Sequence, residues 1–326
     1  MLFKQNILII FLSFLFGSLG AWTIQKIGRK IGMSDLPKER SSHTKDTPKG
    51  GGIGILIVFV LSSIVLDIPK AFWIPALVLS IISFFGDRIE LSVKFRLITQ
   101  FVCSIIFLVN LFFSTQPSLL AWSLIIPLAV FIVGTSNFYN FMDGIDGIAG
   151  ISGFISFLLI AVFGYLSGKD VNYIVLALAI SFSCVGFLLF NIPEAKVFMG
   201  DIGSILLGFV FACMIVALSE TLLELICLAG FLFPFYADEL ITMIVRIKKG
   251  DSLKTPHRQH IYQLLANDYE IEHWKISTIY GVIQTVIGIV IIFLRSHGYI
   301  PVLFLLLLCF FSSAVFSIII RKKLRI

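Results

Sequence analysis

Asn140, Asp143 and Asp146 stand three residues apart in the run Asn137-Phe-Tyr-Asn140-Phe-Met-Asp143-Gly-Ile-Asp146-Gly-Ile-Ala-Gly150. The surrounding chain is rich in long apolar stretches, and in such surroundings an amide and two carboxylates are too costly to be idle. Three residues is close to one helical turn, so the spacing predicts that all three line one slowly drifting helix face, with glycines leaving room for a ligand. Such a face suits a cation and phosphates. The bland alternative is a set of helix-terminal caps.

Other polar groups repeat the theme. Asp201 sits in Phe198-Met-Gly200-Asp201-Ile-Gly203-Ser204, directly before a glycine-rich helix start, where capping is again the rival reading. Magnesium prefers oxygen ligands and keeps several waters, so one Asp and one Asn, completed by substrate phosphate oxygens, would suffice to hold it. No His/Cys cluster argues for zinc. Asp35 to Gly52 joins Arg40, His43 and Lys49 to the run Gly50-Gly51-Gly52, whose backbone N–H groups at a helix start are expected to receive an anion. Gly86-Asp87-Arg88 puts a carboxylate at a helix end, where it could meet a metal, a phosphate or a nucleophile's proton. Asp238, Thr242 and Arg246 fall four apart and share a face, as substrate contacts or as an internal network. Thr255 to Gln263 is dense in donors: His257, Arg258, His260 and Tyr262 suit a sugar-nucleotide diphosphate. His273 and His297 lack such company and receive no role.

The elements that must position these groups follow from composition. With 326 residues, 58% hydrophobic and 13% charged, and a mean hydropathy of +1.01, the chain reads as an integral membrane protein. Apolar helices are expected at about 5–25, 51–66, 71–85, 97–113, 119–134, 148–166, 173–190, 203–219, 224–241, 276–294 and 300–320. The fold class is therefore all-α: a polytopic transmembrane bundle of about 11 helices forming one domain over 1–326. An outside N-terminus and a cytoplasmic C-terminus would put 21 of the 25 basic residues on the inner side, leaving Lys4, Lys70, Lys169 and Arg295 outside. The net charge of +6 is then a topology signal, matched to the anionic inner leaflet of the lipid bilayer, and no nucleic acid is expected as partner. Cys103, Cys184, Cys213, Cys227 and Cys309 lack metal-ligand spacing and read as buried hydrophobes. Under this topology every motif lands on the cytoplasmic side.

Taken in order, Arg40-Ser-Ser-His43, Pro48-Lys49-Gly50-Gly51-Gly52, Asn140-Phe-Met-Asp143-Gly-Ile-Asp146-Gly, Gly200-Asp201-Ile-Gly203-Ser204 and His257-Arg258-Gln259-His260-Ile-Tyr262-Gln263 resemble the polyprenyl-phosphate N-acetylhexosamine-1-phosphate transferases, relatives of phospho-N-acetylmuramoyl-pentapeptide transferase. The resemblance spans about Asp35 to Gln263 and implies ten or eleven helices, a cytoplasmic active site in a bacterial inner membrane, and one Mg2+. By position it makes Asn140 and Asp201 the metal ligands and Asp143 and Asp146 the lining of the catalytic and diphosphate region. Asp87 joins them as a catalytic candidate, and Arg40, His43, Lys49, Asp238, His257, Arg258, His260 and Tyr262 as substrate contacts. Undecaprenyl phosphate and a UDP-N-acetylhexosamine are the implied partners, with a homodimer as a further candidate. The last motif resembles members that initiate O-antigen or capsule-like glycans. One position departs from the pattern: the family usually carries an Asp-Asp pair where this chain has Gly86-Asp87, which questions a dedicated base there. Two other classes compete. A secondary transporter would place its acidic groups at a midplane site between repeated halves, and an inactive relative would keep the fold as a scaffold.

Overall fold

The computed structural model describes residues 2–35, 46–86, 91–115, 122–252 and 258–324. Its elements in chain order are α1 (Leu2–Ile27), a two-stranded ribbon of Ser34–Asp35 with Thr47–Pro48, α2 (Ile53–Val65), α3 (Lys70–Gly86), α4 (Val93–Thr115), α5 (Ile125–Met142), α6 (Ile148–Leu166), α7 (Val171–Leu188), α8 (Asp201–Leu218), α9 (Leu222–Ala229), α10 (Phe233–Lys249), α11 (Ile261–Asn267), α12 (His273–Leu294) and α13 (Tyr299–Leu324). Among the described residues, nine helical stretches are long and apolar enough to cross a bilayer, with α2 and α3 as shorter apolar helices. The chain is a multi-pass, all-helical membrane bundle. Most expected helices recur within a few residues, and the expected span at 224–241 is the stretch Leu222–Lys249, broken by a 3-10 turn at Gly230–Leu232.

One span is displaced. The hydropathy pattern predicts a helix over 119–134, whereas α5 runs on to Met142 through the polar stretch from Thr135 to Asn140. Those residues stay helical because neighbouring helices satisfy them inside the bundle. Thr135 pairs with the Tyr236 hydroxyl (2.8 Å), Ser136 donates to the Ile205 carbonyl (3.2 Å), and Asn137 donates to Gln100 Oε1 (2.7 Å). A polar helix tail can therefore be interior, and here it carries Asn140 into the bundle.

α8 is the hub. Nearly every residue from Ile202 to Leu218 is buried, against α3 and α5 above all. α1 and α7, α6 and α7, and α6 and α12 pack as further pairs around it. Helices in lipid gain little from apolar burial against one another, so they associate through close van der Waals approach, which small residues permit. Gly52 and Gly203 supply the approach that matters here: a Cβ on Gly52 would lie 2.5 Å from the Cα of Gly203. No flexible side chain can yield there, since the obstacle is backbone. Gly52→Ala should therefore cost about 1–3 kcal/mol and be read as a lowered Tm in detergent; an unchanged Tm would show that the α2–α8 contact has slack.

The two ends of the bundle differ. At one end, the N-termini of α2, α4 and α8 meet the C-terminus of α5. At the other, Lys169 bridges Glu220 (2.7 Å) and Glu224 (3.0 Å), and Arg295 caps α6 by donating to the Leu166 carbonyl (3.1 Å) while lying 4.8 Å over the Phe163 ring. That second cluster uses its charges on itself.

Candidate active site

The site is built around Asp201, the first residue of α8. Gly200 precedes it with φ 76° and ψ 165°, a backbone that glycine adopts without strain and that turns the chain sharply into the helix. A carboxylate in the first turn also faces the positive end of the helix dipole. Three elements converge on it. Arg96 of α4 donates Nη2 to Oδ2 (2.8 Å), Asn140 of α5 donates Nδ2 to Oδ1 (3.1 Å), and Lys49, before α2, holds its Nζ 3.7 Å from Oδ1. Asn140 Nδ2 also donates to Ser204 Oγ (2.8 Å), one turn along α8. The predicted metal pair thus lies within hydrogen-bond distance, and Lys49 belongs to the same cluster.

Arg96 is the residue that sequence reasoning passed over, counting it only toward topology. A signal existed: Arg96 and Gln100 are four apart and share a face of α4. Gln100 exchanges hydrogen bonds with Asn137 (2.7 and 3.4 Å), three residues before Asn140. The amide pair ties α4 to α5 and so sets Arg96 and Asn140 relative to each other.

The expected common face of Asn140, Asp143 and Asp146 does not form. α5 ends at Met142, Asp143 is its C-cap with ψ 58°, and Gly147 at φ 86° starts α6 in a new direction. The glycines that leave room beside the carboxylates also break the helix between them. Asp143 stays near the tip of α5, half-buried, its field reaching the phenol of Tyr262. Asp146 turns inward: it is 8% exposed, accepts from the Ala195 N–H (3.2 Å), and lies 3.3 Å from His273 Nδ1. The Asp146 carbonyl accepts from Ser277 (2.7 Å), and Gly147 N–H donates to Asn191 (2.7 Å). Asp146 fixes the α5–α6 turn to α12 and to the segment before α8, and His273, given no role from sequence, is its partner.

The last motif is also held by internal partners. Asp238 is 2% exposed and accepts from the N–H groups of Ile261 (2.8 Å) and Tyr262 (3.2 Å), from the Tyr280 hydroxyl (2.6 Å) and from Thr242 (3.2 Å). It anchors the start of α11 from inside the bundle. His260, 3% exposed, sits 3.3 Å from Glu239 Oε2 and stacks on Tyr262 with ring centroids 5.6 Å apart. Tyr262 is fully buried. Burial, with Asp238 and Asp143 nearby, holds its phenol well above the ordinary range, so it donates as a neutral hydroxyl to the Phe141 carbonyl (3.0 Å). Its ring covers Gly144, where a Cβ would fall 2.2 Å from the hydroxyl oxygen. Tyr262 therefore braces the motif against α5, and His260 lies against α10. Arg246 donates to the Ser252 carbonyl, closing the turn after α10. Arg258 lies half-buried at the head of this braced segment.

The glycine run also departs from expectation. Gly50 and Gly51 donate their N–H groups to the Phe198 carbonyl (3.1 and 2.8 Å), and Gly52 donates to Met199 (3.0 Å). These donors are spent on the strand-like segment before Asp201, so they do not receive an anion. The run is a splice that aligns Lys49 with Asp201. Asp87, Arg40, His43 and His257 lie outside the described residues. Among the described residues no group of three His, Cys, Asp or Glu forms a ready cation cage.

Two half-buried cations, an amide and a carboxylate thus gather at one end of a helical membrane bundle. Residues 70–219 match the family model for glycosyl transferase family 4, and the chain is similar to polyprenyl-phosphate N-acetylhexosamine-1-phosphate transferases. The match covers α3 to α8, including Arg96, Asn140 and Asp201. Among curated relatives, the chain is 29% identical over 259 residues to a probable undecaprenyl-phosphate N-acetylglucosaminyl 1-phosphate transferase of Bacillus subtilis, covering 74% of this chain and 72% of the relative. It is 28% identical over 331 residues to the phospho-N-acetylmuramoyl-pentapeptide-transferase of Staphylococcus epidermidis, covering 91% and 100%. It is 26% identical over 272 residues to the undecaprenyl-phosphate alpha-N-acetylglucosaminyl 1-phosphate transferase of Escherichia coli O157:H7, covering 77% and 74%.

Proposed function

We propose that the protein transfers an N-acetylhexosamine 1-phosphate from a UDP-sugar to undecaprenyl phosphate at the cytoplasmic face of the bacterial inner membrane, starting a lipid-linked O-antigen or capsule-like glycan. The observation that carries this reading is the convergence of Lys49, Arg96 and Asn140 on Asp201 from separate helices. Two cations beside one carboxylate and one amide suit a ligand with several phosphate charges.

Mg2+ fits this donor set. Asn140, Asp201 and Ser204 are hydrogen-bonded neighbours that carry hard oxygen atoms, the ligand type of an ion that completes its shell with water and phosphate oxygens. Asn140 and Asp201 would hold it. When bound, it would neutralise charge on the diphosphate.

The chemistry asks the protein mainly for alignment and charge compensation. An oxygen of the lipid phosphate attacks the β-phosphorus of the UDP-sugar, the bond from that phosphorus to the bridging oxygen breaks, and UMP leaves with the electron pair. Lys49 and Arg96 compensate charge on the phosphates they approach. Arg258 holds the sugar-nucleotide, and Asp143 orients the nucleophile. A phosphate monoester has a second pKa near ~6, so the attacking group is already largely dianionic at neutral pH. Gly86 in place of a second acid is then tolerable, because no strong base is required.

Membranes bearing the protein, supplied with undecaprenyl phosphate and labelled UDP-amino sugars, should form a lipid-linked product and release UMP. EDTA should bring both to background, and added Mg2+ should restore them. Failure to form product with any amino sugar of a broad panel overturns the reading.

A further inference from the structure

α13 is mostly exposed along its length, and its buried residues are Val302 together with Ser317, Ile320 and Arg321 near its C-terminal end. Arg321 is only 5% exposed. A cation sunk against an otherwise lipid-facing helix is costly and marks a task. Its bonds say what the task is. Nε donates to Ser317 Oγ (3.1 Å), which locks the side chain to its own helix, and Nη2 donates to Thr242 Oγ1 (3.3 Å) and to the backbone carbonyl of Gln259 (2.6 Å).

That carbonyl belongs to the residue after Arg258. Two residues further on, Asp238 takes the N–H groups of Ile261 and Tyr262, and Thr242 hydrogen-bonds the same carboxylate. The segment 259–262 is thus gripped from both sides: a carboxylate on α10 holds its N–H groups and a guanidinium on α13 holds its carbonyl. Both grips share Thr242. The Gln259 side chain also donates to Asp251 Oδ2 (3.2 Å), and Arg321 adds the hold on the backbone carbonyl itself.

We propose that Arg321 is a positioning residue for the transfer reaction, which orients Arg258 toward the nucleotide diphosphate by fixing the Gln259 carbonyl. The assignment rests on the reading of the site given above. A guanidinium is needed because Nη2 serves Thr242 and Gln259 while Nε serves Ser317; a lysine ammonium keeps the charge but not that geometry.

The test uses the full-length protein in detergent with Mg2+ and, as probes, UMP and undecaprenyl phosphate, each titrated separately. Wild-type protein that binds UMP and makes product supports the underlying reading, and failure of both would sink that reading whatever Arg321 does. Arg321→Gln should weaken UMP binding about tenfold, a loss of about 1.4 kcal/mol, and leave the lipid affinity unchanged. Arg258→Ala should give a similar loss, and the double variant no more than either alone, because one acts through the other. Arg321→Lys should recover part of the affinity. Wild-type UMP binding in Arg321→Gln, additive losses in the double variant, or equal weakening of both ligands would each overturn the proposal. If Arg321→Gln does not fold, Ser317→Ala, which frees only Nε, should show a smaller loss confined to UMP. Unaltered UMP binding there would count against the proposal in the same way.

Discussion

Asp201→Asn should lower turnover on the order of 10³-fold while the protein still inserts, folds and elutes as wild type. The change is nearly isosteric, so packing at the start of α8 is kept. What changes is the sign of one contact. Oδ2 accepts from Arg96 and Oδ1 from Asn140, with Lys49 also close, and an amide can offer only one oxygen to these donors. Its NH2 group would face either Arg96 or Asn140, donor against donor. The two cations would also lose the charge that sets their positions, and the proposed ligand pair for Mg2+ would lose its only carboxylate. Turnover of lipid-linked product in membranes is the measurement, with the exposed Asp67→Asn at the far end of α2 as control. Activity within a few-fold of wild type would remove Asp201 from the mechanism.

Asp238→Ala should act through stability instead, costing about 3–5 kcal/mol, the range for removing one partner of a buried charged network. Four donors lose their acceptor together: the N–H groups of Ile261 and Tyr262 and the hydroxyls of Tyr280 and Thr242. All four are buried, and water cannot easily replace the carboxylate, so most of the desolvation penalty remains unpaid. α11 has only seven residues and cannot persist on intrinsic propensity. The first turn of α11 should therefore open before the rest of the bundle, seen as early loss of amide-exchange protection around Ile261 and as a large fall in Tm. Asp238→Asn keeps one acceptor and should fall between. A normal Tm in Asp238→Ala would mean that the α10–α11 junction is held by something other than this carboxylate.

The bundle was legible because membrane helices announce themselves by length and apolarity, and α6 was read to the residue. α5 was misplaced for a definite reason. Hydropathy scores Thr135, Ser136, Asn137 and Asn140 as if they faced water, whereas interior partners on α4, α8 and α10 satisfy them. The convergence of Lys49, Asn140 and Asp201 could be anticipated from motif order, though not Arg96, because the sequence shows no contact between α4 and α8. Spacing misled most at Asp143 and Asp146. A three-residue interval means a shared face only while the helix lasts, and Gly144 and Gly147 end it. Residue type alone could not show the internal partners of Asp238, His260 and Tyr262, since the groups that suit a nucleotide are also those that brace a loop inside a bundle. Only burial and partners distinguish the two uses.

α2 contains 13 residues, so it is about 20 Å long, while the hydrocarbon layer it stands beside is about 30 Å thick. If the other end of α2 reaches its own membrane surface, the ammonium group just ahead of α2 lies below the opposite one and meets water where the bilayer dimples or a wet vestibule opens between helices. On the proposed function, a phosphate-headed lipid approaching Lys49 would then leave the plane of its neighbours and sink, drawing its tail sideways along the protein. Bilayer thickness should then tune access of that substrate, with thin membranes easing entry and thick ones hindering it.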